Sequence, residues 1–410
     1  MPTPLKMAGL FAGIGGIELG FQRALGDGVE TTLLCEWWEP AKTVLATHFP
    51  EVELHPDVRL LDSLPAGLDV LAAGFPCTDL SQAGRTAGIA GAQSGLVAHV
   101  FHVLRVAASA DRRLPWLLIE NVPNMLALDR GRAMAYLIEE LESLGYRWAY
   151  RVVDSRFTGV PQRRRRVLLL ASPTEDHRPV LFAEDAGGLD EEHLDDTIFG
   201  FYWTEGRGGL GWAQDAVPTL KGGSTIGIPS PPAIWVSDNP LDRTFITPAV
   251  ADAEQLQGFP RGWTDVVDRM PRGHGHRWKL VGNAVTTRVA EWVAGQLRDP
   301  GEAVLDDQLW TGSGTWPTAA WGENGKIWRV AASEFPRRAP HVGLRSVVDV
   351  ATAPPLIDRA INGFRSRLEQ GNLGRHPGFR DAVSAYADSA RLPGLDTLGR
   401  RRPDGRRAVQ

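Results

Sequence analysis

The chain has 410 residues, 43% of them hydrophobic, and a formal net charge of -5 at pH 7, which allow a large α/β core with one or two smaller modules. Two cysteines exclude a disulfide framework or a cysteine-based metal set and favour a reducing cytoplasm. We find no signal peptide and no apolar run of bilayer length, so we expect a cytoplasmic protein without membrane contact.

The first predicted unit is a strand over residues 6–11, a glycine turn and a helix over residues 17–25. Glycines at such a turn let the backbone approach a nucleotide-like ligand. The pattern is also compatible with a plain tight turn, since Glu18 replaces the last glycine of G-x-G-x-x-G.

Two acidic residues follow the next predicted strands. A strand over residues 31–35 leads to Glu36, whose carboxylate could accept hydrogen bonds from both ribose hydroxyls. Asp57 follows a third strand and could reach an adenine or ribose. Each could instead be an ordinary exposed carboxylate.

A cysteine lies where another strand should end. The apolar run over residues 69–74 predicts this strand, and Cys77 follows it directly, where reaction chemistry gathers in open α/β sheets. Cys77 is therefore a candidate nucleophile, although an isolated cysteine is often only a small buried residue. The glycine-rich residues 77–95 have the composition of a mobile lid or of a surface loop.

Polar residues also follow or precede the later strands. Residues 96–110 predict an amphipathic helix, and a strand over residues 116–119 ends in Glu120, a natural acid partner for Cys77. The basic run 163–166 precedes a strand over residues 167–171. Alternation places Arg164 and Arg166 on one face of this strand, although such a run is often only solvated surface.

The ordered motifs resemble those of DNA cytosine-5 methyltransferases over residues 6–297. They are FAGIGG, Glu36-Trp37, PCTDLS, Glu120-Asn121-Val122, Gln162-x-Arg164-x-Arg166, EQLQGFP and GNAV. In PCTDLS, Thr78-Asp79-Leu80 replaces the commoner Gln-x-Phe, which affects the fine contacts of that loop but leaves the nucleophile in place.

The resemblance implies S-adenosylmethionine as cofactor, S-adenosylhomocysteine as product and no metal. It implies that Cys77 adds to C6 of a flipped-out cytosine, that Glu120 acts at N3, and that Asn121 helps to shape this pocket. It also implies that Arg164 steadies the base, with Arg166 and Gln162 supporting it or binding phosphate. The implied cofactor site is Phe11, Ala12, Gly13, Gly15, Glu36, Trp37, Asp57, Asn283, Ala284 and Val285. The expected DNA contacts are Ser81, Arg85, Gln162 and Lys221, with Arg207, Ser224, Thr225 and Arg243 as further candidates.

The expected fold is a Rossmann-like α/β sheet with helices on both faces, a smaller irregular or β-rich domain and a C-terminal extension. Residues 1–171 would form the catalytic and cofactor-binding domain, and residues 172–250 a target recognition domain. Residues 251–299, with a helix over 286–297, would return to complete the catalytic domain. Residues 300–410 would form the extension with a basic tail. Its tryptophans could stack on bases or on a partner surface, or they could pack onto the catalytic domain, which is the use that we expect.

The expected partner is double-stranded DNA, with a possible restriction or defence-system protein. A tRNA cytosine-5 methyltransferase would share the chemistry and is the alternative, although the Cys-Phe-Thr element of that branch is absent. A nucleotide-dependent oxidoreductase would leave PCTDLS and Glu120 unused. The sequence does not name the recognition site.

Overall fold

The computed structural model describes residues 3–76, 95–204, 209–223, 229–312 and 314–389. Its strands are β1 Leu5–Leu10, β2 Val29–Cys35, β3 Glu53–His55, β4 Val70–Ala73, β5 Trp116–Asn121, β6 Arg147–Asp154, β7 Gln162–Arg163, β8 Arg165–Ser172, β9 Ile198–Phe201, β10 Ala213–Gln214, β11 Val217–Pro218, β12 Ala233–Val236, β13 Phe245–Ile246, β14 Asp307–Leu309, β15 Ala319–Glu323 and β16 Lys326–Val330. Its helices are α1 Gly16–Leu25, α2 Glu39–His48, α3 Leu96–Ser109, α4 Arg132–Ser143, α5 Arg178–Phe182, α6 Val250–Leu256, α7 Gly273–Asn283, α8 Thr287–Arg298, α9 Leu344–Val347, α10 Asp358–Glu369 and α11 Phe379–Ser389.

Ten of the described strands form one mixed sheet, in the order β14-β16-β15-β6-β8-β5-β4-β1-β2-β3. The five neighbouring strands β5, β4, β1, β2 and β3 run parallel to one another. Strand β8 pairs antiparallel with both β5 and β6. The chain moves outward from β1 to β3 and then returns to the other side of β1 with β4. The crevice between β1 and β4 is thus a topological switch point, where ligands bind in open α/β sheets.

Helices cover both faces of this sheet. One core contains α3 and α4 with one side of the central strands, and the other contains α1, α5 and α8. Helices α1 and α8 approach so closely that a Cβ on Gly20 would lie 2.6 Å from the Cβ of Ala290. Glycine at this position therefore permits the packing. The Rossmann-like sheet with helices on both faces is confirmed.

The part of the chain between α5 and α6 forms a smaller sheet, with the strand order β10-β9-β12-β13. Aromatic side chains on β9, β12 and β13 pack against α10 and α11, which come from the C-terminal segment. The same segment contributes β14 to β16 to an edge of the large sheet. Residues 300–389 therefore pack partly against the large sheet and partly against the small sheet.

The tryptophans of the C-terminal segment pack onto the large sheet. Trp316 and Trp321 are buried, and Trp310 and Trp328 lie partly buried against the same cores. Trp316 donates from its indole to the Gly131 carbonyl over 3.0 Å. Of the two uses expected for these tryptophans, the structure shows packing.

Candidate active site

The glycine turn after β1 is the first wall of the site. Phe11 and Gly13 both have positive φ, at 58° and 57°. No heavy atom lies within 4 Å of where a Cβ of Gly13 would stand, so this glycine leaves open space beside the backbone. A Cβ on Gly15 would overlap Phe49 instead. Gly15 therefore shapes the turn from the protein side, and Gly13 faces the cleft.

Glu36 lies at the end of β2 and is held by the backbone. Its Oε2 accepts a hydrogen bond from the Gly13 amide over 2.9 Å, and its Oε1 accepts one from the Trp38 amide over the same distance. Burial raises the pKa of this carboxyl, while the backbone hydrogen bonds partly offset that shift. The side chain of Trp37, beside it, is 69% exposed and lines the same cleft.

Asp57 lines the neighbouring part of the crevice, with Phe11, Glu36 and Trp37. This part has a volume of about 330 Å³. The side chain of Asp57 accepts hydrogen bonds from Arg59, which lower its pKa. The structure thus brings the predicted acidic residues to one edge of the sheet, although they come from different strands.

A cleft of about 600 Å³ extends from this crevice towards β5 and β8. Glu120 and Asn121 enter it from the end of β5, and Asn283 and Ala284 form the opposite wall. Val285 joins them in a smaller cavity below, with Ala12. All the predicted cofactor residues except Gly15 therefore line these adjoining cavities together with Glu120.

Glu120 and Arg166 form an ion pair in this cleft. The Nε atom of Arg166 lies 2.7 Å from Oε1 of Glu120, and both side chains are largely buried. Asn121 is nearly fully buried. Its Nδ2 donates to the Phe75 carbonyl over 3.0 Å, and its Oδ1 accepts from the Val122 amide. Asn121 therefore fixes the chain that leads from β4 into the cleft.

Arg164 lines the same cleft and is almost fully buried. Its guanidinium donates to the carbonyls of Leu220, Gly282 and Ala284, at 3.2, 3.3 and 2.8 Å. Burial lowers its pKa well below the ordinary value. Arg166, and not Arg164, contacts Glu120. Arg164, between β7 and β8, binds the loop at Leu220 and the C-terminal end of α7.

Gln162, for which a DNA contact is predicted, is fully buried. Its Nε2 donates to the Leu256 carbonyl and to Oε1 of Gln257, and its Oε1 accepts from the Leu220 amide. Gln257 in turn donates to the Val281 carbonyl over 2.9 Å. This amide pair connects three of the sequence motifs through the protein interior.

The remaining expected DNA contacts are only partly described. Cys77, Ser81 and Arg85 lie outside the described residues, as do the lid expected over 77–95 and Arg207, Ser224 and Thr225. Lys221 is exposed, with its Nζ 3.9 Å from the ring centroid of Tyr202. Arg243 donates to the carbonyls of Val350 and Ala353 and so binds the C-terminal segment rather than projecting outward.

Two residues were given no role in the sequence predictions. Lys279 on α7 lines the cleft, with its Nζ 4.6 Å from the ring of Trp38. It precedes Asn283 by four residues, so helical spacing from the GNAV motif could have identified it. Gln257 was quoted within its motif but given no role, and only its buried amide contacts reveal one.

Among the described residues, no cluster of three or more His, Cys, Asp or Glu side chains is arranged to hold a metal ion. In the same part of the chain, no helix has both the length and the apolar character that a bilayer span requires.

Comparisons with known proteins agree on one family. The model of the C-5 cytosine-specific DNA methylases matches residues 5–190. The Type II methyltransferase M2.BsuMI of Bacillus subtilis (strain 168) is 44% identical over 370 residues, which cover 88% of this chain and 93% of that protein. The Type II methyltransferase M.NlaX of Neisseria lactamica is 30% identical over 74% of this chain and 99% of its own.

A solved structure supports the fold alone. The Dnmt2 methyltransferase of S. pombe superposes with a TM-score of 0.52 at 14% identity, over 72% of this chain and 98% of that chain.

Proposed function

The chain belongs to the C-5 cytosine-specific DNA methyltransferases, and we propose that it methylates cytosine at C5 within one short sequence of double-stranded DNA. The observation that carries this proposal is the Glu120–Arg166 pair, which lies in the same cleft as Glu36 and Trp37. A group that can act on a base thereby adjoins a group that can hold a nucleoside. Methyl transfer between two such ligands requires this adjacency.

S-adenosylmethionine fits the crevice at the ends of β1 and β2. Glu36 presents a buried carboxylate for the ribose hydroxyls, Trp37 an exposed ring for the adenine, and Gly13 leaves open backbone space. Asp57 lies within reach of the adenine or ribose, and Phe11, Ala12, Asn283, Ala284 and Val285 complete the walls. When bound, this cofactor supplies an electrophilic methyl group.

The nucleophile assigned from the sequence is Cys77. Cytosine C5 is too weakly nucleophilic to be methylated directly, so thiolate addition at C6 first creates an enamine. In the described part of the chain, Asn121 holds the Phe75 carbonyl two residues before Cys77. We assign Asn121 the task of positioning this segment relative to Glu120.

Glu120 acts at N3 of the base. Addition at C6 drives negative charge towards N3, where a carboxyl can donate a proton or a hydrogen bond. Arg166 is the residue we assign to orienting Glu120 and to holding charge on the base, since its Nε contacts that carboxylate. Arg164 is assigned a positioning role through the three carbonyls that it binds.

The target base must leave the duplex, because its faces are covered by stacking. Residues 172–250 are proposed as the target recognition domain, in which Lys221 contacts DNA. Ser81 and Arg85, from the segment after Cys77, are proposed as further DNA contacts. Residues 1–171 and 251–299 would form the catalytic domain. Since similar proteins are named Type II methyltransferases, we propose that the chain protects DNA within a restriction-modification system.

The test is base-resolution mapping of 5-methylcytosine in DNA from a methylation-free host that expresses the chain. We expect modified cytosines in one short context, and none with Cys77→Ala. Unmodified DNA would contradict the proposal, and methylated tRNA in the same cells would favour the tRNA enzyme. A fluorinated cytosine oligonucleotide should also form a denaturation-resistant adduct with the wild-type chain but not with the variant.

A further inference from the structure

Glu18, in the first turn of α1, is a buried carboxyl that the proposed mechanism does not use. It is 1% exposed, and burial raises its pKa from 4.5 to about 7. Its Oε2 accepts no hydrogen bond from any part of the chain that the structure describes. A buried polar atom without a partner is costly, so this side chain requires an explanation.

Helix capping does not provide one. A glutamate at the third helical position usually accepts a hydrogen bond from the amide of the N-cap residue, which here is Gly15. The Gly15 amide instead donates to the Ala12 carbonyl over 2.9 Å. The carboxyl of Glu18 is held by its own backbone amide, which lowers its pKa somewhat, and its Oε2 remains without a partner among the described residues.

The fold makes room for this carboxyl within β1. A Cβ on Gly9 would overlap Oε1 of Glu18, so only glycine can stand at that position while Glu18 keeps its place. Glycine in the middle of a strand costs stability relative to a larger residue. Gly9 and Glu18 therefore both make the fold less stable than other residues at these positions would.

Glu18 lines a small cavity of about 50 Å³ below the main cleft. Gly13, Gly74, Glu120 and Asn283 line both the cavity and the cleft. The cavity lies at the carboxyl ends of β1 and β4, which form the switch point of the sheet. A ligand whose nucleoside is bound by Glu36 and Trp37 would extend into this cavity.

We propose that Glu18 accepts hydrogen bonds from the α-ammonium group of S-adenosylmethionine, an inference that rests on the proposed function. The amino-acid end of this cofactor carries one ammonium and one carboxylate group. A buried carboxylate with a free oxygen matches the ammonium group. First-turn amides have no acceptor within their own helix, so those of Gly16 and Ile17 in α1 are suitable donors for the carboxylate group.

The experiment compares two ligands by calorimetry with the full chain. S-adenosylhomocysteine carries the amino-acid end, whereas 5′-methylthioadenosine has the same adenosine and sulfur without it. Glu18→Gln, which keeps the shape of the side chain, should weaken S-adenosylhomocysteine binding by roughly 10- to 100-fold, as expected for a lost charge-assisted hydrogen bond. Its affinity for 5′-methylthioadenosine should stay within about twofold of wild type.

The matched control is Glu36→Gln, which should weaken both ligands because it acts on the ribose that they share. Equal losses for both ligands in Glu18→Gln, or no loss for either, would overturn the assignment of Glu18. Failure of the wild-type chain to bind either ligand would overturn the proposed function instead. Urea unfolding of Glu18→Gln shows whether the variant is folded under the conditions of the titration.

Proton release gives a second readout that a merely structural role would not produce. Contact with an ammonium group favours the ionised carboxylate, so wild-type chain should release a proton from Glu18 when it binds S-adenosylhomocysteine near pH 7. Titrations in two buffers of different ionisation enthalpy measure this release. It should be absent in Glu18→Gln, and equal release by both proteins would contradict the contact.

Discussion

Arg166 pairs with Glu120 in the cleft, with 2.7 Å between Nε of the arginine and Oε1 of the carboxylate. Arg164, two residues earlier, is enclosed by backbone carbonyls instead. The two arginines of one motif therefore have different partners, and we propose that Arg166 acts at the reacting base and that Arg164 supports the cleft.

Glu120→Gln should lower kcat by roughly 10² to 10⁴, the usual cost of losing a general acid. The variant removes the proton donor but keeps the size of the side chain. Single-turnover methylation of a cognate duplex measures the rate, and S-adenosylhomocysteine affinity should remain near wild type. A variant with wild-type turnover would remove Glu120 from the chemistry.

The arginines provide a matched pair of lysine variants. Arg166→Lys should reduce kcat with little change in the urea midpoint, because the contact that it loses, with Glu120, lies in the cleft. Arg164→Lys should lower the free energy of unfolding by about 1–3 kcal/mol, because a lysine leaves some of its three carbonyls unsatisfied. The opposite pattern would mean that the two roles are exchanged.

Gln162→Leu should destabilise the chain by about 1–3 kcal/mol, because the buried Leu220 amide loses its acceptor and the hydrogen bond to Gln257 is removed. Because Gln162 is fully buried, the slope of DNA affinity against salt concentration should not change. Lys221→Ala is the control, since loss of a phosphate contact should reduce that slope by about one. A reduced slope in Gln162→Leu would restore the DNA contact expected from the sequence.

The sequence predicted the strands and residues that depend on local pattern. Apolar runs located the central strands, and Glu36, Asp57 and Glu120 all lie at one edge of the sheet because the carboxyl ends of β2, β3 and β5 meet there. Alternation placed Arg164 and Arg166 on one face, but it could not distinguish their partners. Arg166 pairs with Glu120 of the neighbouring strand, whereas the partners of Arg164 are Leu220, Gly282 and Ala284, which are far away in the chain.

The C-terminal segment was the least predictable part, since its burial depends on surfaces formed elsewhere. Phe364 on α10 packs against Phe201 of the small sheet, with ring centroids 5.1 Å apart, and both side chains are fully buried. Nothing in the spacing of α10 names this partner. An amphipathic helix shows that one face is covered, but not by what.

Phe364→Ala should therefore lower the free energy of unfolding by about 3–5 kcal/mol, as for other buried aromatic residues. We expect the small sheet to be affected first, because α10 and α11 cover its aromatic face. Hydrogen exchange of β9 and β12 should rise, while β1 and β4 stay protected. Ile357→Ala, at an exposed position just before α10, is the control and should change stability by no more than about 0.5 kcal/mol.

Glu18 should make the stability of the chain depend on pH in the neutral range. Its pKa is 4.5 in an unfolded chain and about 7 in the folded one, where burial disfavours the charge. The folded state therefore binds more protons between these values. Stability is fully present below the unfolded pKa and is lost as the pH rises through the folded pKa. The total loss is about 3 kcal/mol, from 1.36 kcal/mol for each unit of pKa.

Glu18→Gln removes this titration and should be more stable than wild type at pH 8 by up to about 3 kcal/mol, with the gain disappearing towards pH 4.5. Glu120 is the other titratable side chain that lines the cavity, so the same measurement in a Glu120→Gln background isolates Glu18. Urea unfolding at several pH values measures the difference, with the exposed Glu139→Gln as the surface control. A pH-independent difference between Glu18→Gln and wild type would show that the buried carboxyl does not titrate in this range. If the gain appears at pH 8 together with weaker S-adenosylhomocysteine binding, the carboxyl is kept at the expense of stability because the ligand needs it.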